Sequence, residues 1–183
     1  PNVLDRDTQL LRVGIQGKAA PPFERKQANL VFLVDVSGSM SSSNKLPLVQ
    51  EVLRLSLDEL MADDTISIVT YASGTGVRLE PTPVSERGVI EAAIDALSAG
   101  GSTAGAAGLD LAYQQAEAGF LDNGINHVLL CTDGDFNVGP SSTDQLVSMI
   151  EEKRDTGITL TVLGFGSGNL NDAMMEAITN AGN

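Results

Sequence analysis

The stretch that most constrains this 183-residue chain is Leu30-Val31-Phe32-Leu33-Val34, an unbroken apolar run closed by Asp35. Five β-prone residues without polar alternation leave a strand no wet face. They need apolar cover on both sides, as in a parallel sheet packed between helices. The pattern recurs. Ile66, Ile68 and Val69 begin a second strand that ends near Tyr71, after Asp63-Asp64 turn the chain. Val128-Leu129-Leu130-Cys131 is a third buried strand closed by Thr132-Asp133-Gly134-Asp135, and Ile158 to Leu163 is a further one.

Between these runs the apolar period switches to that of a helix. Leu46, Val49, Leu53, Leu57 and Leu60 predict an amphipathic helix over 45–60, capped by Ser43 or Asn44, with Pro47 in its first turn. Val89, Ile90, Ala93, Ile94 and Leu97 mark a second helix, capped near Ser85. An alanine-rich helix runs to about Ala118, and its Gly105 and Gly108 suit close packing on the sheet. Leu146, Val147, Met149 and Ile150 form another helix face, and Met174 to Ile178 a last one. Gly74-Thr75-Gly76 reads as a tight turn into a short antiparallel strand, Val77 to Leu79, ended by Pro81 and Pro83. The order predicts an α/β fold, a mostly parallel sheet with helices on both faces.

Residues 1–27 read as a separate arm, with a short strand at Leu10 to Ile15 and a break at Ala19-Ala20-Pro21-Pro22, ahead of a domain over 28–183. The chain starts at Pro1 without an initiator methionine, as expected of a fragment or a processed product, so the termini do not give a localisation.

Composition narrows the chemistry. Eleven Lys+Arg against 24 Asp+Glu leave a net charge of −13, which argues against a nucleic-acid binder or a polybasic membrane anchor. No apolar run approaches the ~20 residues a bilayer requires. One cysteine, Cys131, excludes an intramolecular disulfide and a multi-cysteine zinc site, and one histidine, His127, excludes a histidine-rich centre. A metal held by this chain must be held by oxygen. Cys131 reads as inert core, and His127 as a surface or edge residue. Gly164-Phe165-Gly166-Ser167-Gly168 lies too late in the chain for a dinucleotide-binding turn and reads as loop.

In an open α/β sheet, ligands bind beyond the carboxyl ends of the strands, at a topological switch point. The unusual polar residues fall there. Asp35, Ser37 and Ser39 follow the first buried strand as Asp-x-Ser-Gly-Ser, Thr103 sits in a Gly-rich loop before the alanine-rich helix, and Asp133 follows the third buried strand. Five converging oxygen-bearing side chains suit a hard cation such as Mg²⁺, with Mn²⁺ or Ca²⁺ as alternatives. With at most two carboxylates among them, the ion stays electron-poor and welcomes an anionic oxygen from a partner. Asp135 and Asn137 read as a solvated rim.

Asp35-Val36-Ser37-Gly38-Ser39-Met40, Thr103 and Thr132-Asp133-Gly134 resemble the metal-ion-dependent adhesion site (MIDAS) of von Willebrand factor type A domains. The resemblance implies a Rossmann-like fold with one antiparallel edge strand. It also implies metal coordination by the hydroxyls of Ser37, Ser39 and Thr103, with Asp35 and Asp133 binding directly or through water. The arm and the segment Thr132 to Gly139 resemble bacterial cell-envelope members, implying an envelope or extracellular location. The family continues with a short strand and a helix after the position of Met174, whereas this sequence stops at Asn183.

The function these residues imply is cation-dependent protein binding, not catalysis, with an Asp or Glu of a partner completing the metal. Two alternatives stand beside it. A Mg²⁺-dependent phosphoryl-transfer enzyme would use Asp35 as nucleophile, but the acid/base position two residues on is Ser37, and no lysine accompanies the three motifs. A subunit of a multiprotein assembly would carry the metal site incidentally.

Overall fold

A computed structural model of the chain describes residues 25–102, 105–134, 143–166 and 172–183. The arm strand at Leu10 to Ile15 lies outside them. Among the described residues five strands form one sheet: β1 (Ala28–Asp35), β2 (Thr65–Tyr71), β3 (Thr75–Pro83), β4 (Ile125–Thr132) and β5 (Ile158–Gly164), in the order β3-β2-β1-β4-β5. β1 is central and pairs in parallel with both β2 and β4, β4 pairs in parallel with β5, and β3 runs antiparallel along β2. The helices are α1 (Leu46–Leu57), α2 (Arg87–Asp95), α3 (Gly105–Ala118), α4 (Thr143–Asp155) and α5 (Asp172–Ala181).

The apolar run in β1 feeds two cores, as its lack of alternation requires. Phe32 and Val34 pack with Leu46, Val49 and Leu53 of α1 and Ile90 and Ile94 of α2. Val31 and Leu33 pack with Leu109 and Tyr113 of α3, Leu146 and Ile150 of α4, and Ile178 of α5. The α3 face sits close because Gly108 has no side chain; a Cβ there would lie 2.8 Å from the Cβ of Tyr71 on β2. At the far edge, the Leu160 N–H of β5 donates to the Gly182 carbonyl at 2.9 Å, so the end of the chain lies along that strand. No helix among the described residues is long and apolar enough to cross a membrane.

Two local expectations fail, and a third shifts by one residue. β3 does not stop before Pro81 but continues through Pro83. Among the described residues it is the outermost strand, where a missing N–H is tolerated, and irregularities at Ile66 to Val69 adjust its register. α1 is capped neither by Ser43 nor by Asn44: its N-cap is Lys45, without a side-chain cap bond, while Asn44 accepts a hydrogen bond from the Ser42 hydroxyl. Ser85 lies in a short 3-10 turn, Val84–Glu86, and α2 starts after it with Glu86 at the cap position.

Candidate metal site

β1 and β4 lie side by side, but the chain leaves β1 for β2 on the other flank and returns to β4 only later. That reversal opens the crevice beyond their carboxyl ends. Asp35 is the last residue of β1 and is fully buried. One of its oxygens, Oδ1, accepts the Ser37 N–H at 2.8 Å. The other, Oδ2, faces the Tyr71 hydroxyl at 3.2 Å and the Thr132 hydroxyl at 3.4 Å, both of which donate to it. Burial pushes the Asp35 carboxyl above its ordinary 3.8; the hydrogen bonds from Ser37 oppose this, and the negative charge of Asp133 adds to it.

After Asp35 the backbone tightens into a 3-10 turn, Gly38–Ser41, in which the Met40 N–H donates to the Ser37 carbonyl at 3.0 Å. Met40 is fully buried and pins the loop to the α1 core. The pinned loop sets the two serine hydroxyls 2.9 Å apart. Ser37 is buried and Ser39 is exposed, so the pair runs from the interior to the mouth of the crevice. Asp133, just past β4, is 1% exposed. The next residue, Gly134, has φ 95°, a left-handed turn that suits glycine, and its N–H donates to the Thr132 hydroxyl at 3.1 Å.

The structure therefore brings Asp35, Ser37, Ser39 and Asp133 to one end of the sheet. Thr103, Asp135 and Asn137 lie outside the described residues. The residues that lead to Thr103 are stitched to the serine loop: the Gly100 N–H donates to the Val36 carbonyl at 2.7 Å, and the Gly38 N–H to the Gly101 carbonyl at 3.0 Å.

Two residues of the site were missed in the sequence. Tyr71 is one; its register partner is Asp35, so two parallel strands ending level would have revealed it. Lys45 is the other, and it corrects the expectation that no lysine accompanies the motifs. Its Nζ donates to Asp133 Oδ2 at 2.8 Å and to the Ser39 carbonyl at 3.1 Å. His127 is also corrected: β4 is interior, and the half-buried ring bonds the hydroxyls of Thr159 at 2.6 Å and Thr161 at 3.0 Å on β5. Cys131 is core as expected, its thiol pushed up to about 12 by burial.

The donor set fits a hard divalent cation. Its donors are carboxylate and hydroxyl oxygens, and the described residues hold no group of three or more His, Cys, Asp or Glu that could offer a different cage. Asp35 and Asp133 are buried close enough to repel each other, a cost that a cation between them relieves.

The von Willebrand factor type A domain family matches residues 29–183. The chain belongs to that family. It is 49% identical over 174 residues to the uncharacterized protein YfbK of Escherichia coli K12, an alignment covering 95% of this chain and 30% of YfbK. This von Willebrand factor type A chain thus spans less than a third of that relative. Among solved structures it resembles an aerotolerance-related membrane protein of Bacteroides fragilis, with TM-score 0.69 and 20% identity, covering 85% of this chain and 88% of the other. It also resembles proximal thread matrix protein 1 of the mussel byssus, solved with a zinc-occupied MIDAS motif, with TM-score 0.68 and 19% identity, covering 86% and 43%. At these identities the two structures speak for the fold, a mixed five-stranded sheet with one antiparallel edge.

Proposed function

We propose that this domain is a divalent-cation-dependent protein-binding module. Asp35, Ser37, Ser39, Thr103 and Asp133 hold Mg²⁺, with Mn²⁺ or Ca²⁺ as alternatives, and the ion supplies an electrophile for an Asp or Glu carboxylate of a partner. The observation that carries this reading is the buried Asp35–Asp133 pair, served by a serine pair whose hydroxyls can turn from donating to accepting. Within this reading the chain's own residues do three things. Asp35 fixes the serine loop through the Ser37 N–H, Tyr71 and Thr132 hold the carboxylate from behind, and the neutral hydroxyls leave the ion poor in negative charge. The fold likeness to a membrane protein supports an envelope setting.

Affinity capture from a native extract in Mg²⁺, followed by elution with EDTA, tests this reading. Partners should elute with EDTA and be missing from an Asp35→Ala column, while the variant keeps its fold by circular dichroism. Capture that is indifferent to both would overturn it. The ammonium of Lys45 gives the phosphoryl-transfer alternative one feature it lacked. That ammonium is engaged by Asp133 and Ser39, however, and Ser37 occupies the acid/base position. An aryl-phosphate assay with Mg²⁺ should show no turnover that depends on Asp35.

A further inference from the structure

Lys45 differs from an ordinary surface lysine. Its side chain is 15% exposed and its partner Asp133 fully buried, whereas Lys153, which pairs with Glu117, is 25% exposed against a partner at 48%. Its stem runs over Gly166, whose φ of 88° favours glycine and where a Cβ would lie 2.7 Å from Lys45 Cε and displace the lysine. It stands at the cap position of α1, where the chain turns between the serine loop and the helix. Three separate segments therefore place one ammonium on a carboxylate of the metal site.

We propose that Lys45 is a tethered counter-charge that sets what the site prefers, weakening it for a free divalent ion and strengthening it for the ion together with a partner's carboxylate. The inference rests on the metal-site reading above. Its logic is a count of charges in a small, poorly solvated volume. Asp35, Asp133 and Lys45 leave one negative charge. A divalent ion turns that into one positive charge, which a single carboxylate neutralises. Without Lys45 the same ion would only neutralise the two aspartates, and an incoming carboxylate would find no surplus to answer. Lys45 thus trades affinity for the ion against affinity for the ligand.

Substituting Lys45 separates this role from simple support of Asp133. Titration calorimetry with MnCl₂ should show the wild type binding weakly and Lys45→Met binding about tenfold more tightly, with Lys45→Arg close to wild type. Acetate titrated into the Mn²⁺-loaded proteins, followed by water proton relaxation, should bind Lys45→Met about threefold or more weakly than wild type. A lysine that merely holds Asp133 in place predicts that both affinities fall. Wild-type Mn²⁺ binding with equal or weaker binding by Lys45→Met overturns the Lys45 proposal and leaves the metal site standing. Absence of Mn²⁺ binding in both folded proteins overturns the metal site and this proposal together. If Lys45→Met does not fold in EDTA, Lys45→Gln carries the same predictions.

Discussion

Two aspartates at opposite ends of this sheet are both fully buried, and they are built for different work. Asp64, at the entry to β2, accepts the Ala28 N–H at 2.7 Å on one oxygen; on the other it accepts the Met61 N–H at 2.7 Å and the Arg25 guanidinium. All of those donors are N–H groups, which cannot reverse. Asp35, at the exit of β1, has one N–H donor and two hydroxyls, with a second buried carboxylate nearby. Burial alone therefore does not mark a functional carboxylate. What distinguishes them is the partners: fixed donors with a cation make a structural tie, whereas reversible donors with a like charge suit the cation site proposed above.

The same substitution at both positions breaks or sharpens that contrast. Asp64→Asn turns an amide N–H toward donors and leaves the Arg25 guanidinium with only the Glu59 carbonyl; it should cost about 3–5 kcal/mol of stability by denaturant unfolding, with Mn²⁺ affinity of the folded protein unchanged. Asp35→Asn can still accept from Ser37 and donate to the Tyr71 oxygen. Measured in EDTA, it should lie within about 1 kcal/mol of wild type or be more stable, yet lose Mn²⁺ binding. Equal destabilisation by the two would erase the distinction.

A smaller effect tests the support behind Asp35. Gly108→Ala places a methyl 2.8 Å from the Tyr71 Cβ, and should cost about 1–3 kcal/mol while lowering Mn²⁺ affinity as Tyr71 shifts. The smallest lies away from the site. Burial lowers the His127 pKa below its ordinary 6.5, so the unfolded chain takes up the proton first as pH falls. The stability His127 contributes is present above pH 6.5 and lost as pH drops through its lower folded value, and His127→Gln should flatten stability against pH in that window. An unchanged profile would mean that the ring does not titrate with folding.

What was legible in the sequence follows from what is local. The apolar run at Leu30 to Val34 fixed a central, doubly covered strand, because a continuous run permits no wet face. Strand ends then located Asp35, Ser37, Ser39 and Asp133, because parallel strands deliver their C-terminal loops to one edge. Asp64 read as a turn residue, since its burial depends on Arg25 and Ala28 from a segment some 36 residues earlier. Lys45 was invisible for the same reason, its seat being cut by Gly166 from beyond β5. Pro81 and Pro83 misled because proline stops an interior strand but not an outermost one.

The most direct measurement is a crystal of the protein grown with MnCl₂, with diffraction collected at the manganese absorption edge. The account predicts one strong anomalous peak bounded by the hydroxyls of Ser37, Ser39 and Thr103, on the side of Asp35 and Asp133. A well-ordered crystal with no peak there, or with Thr103 directed away from the serine pair, would contradict it.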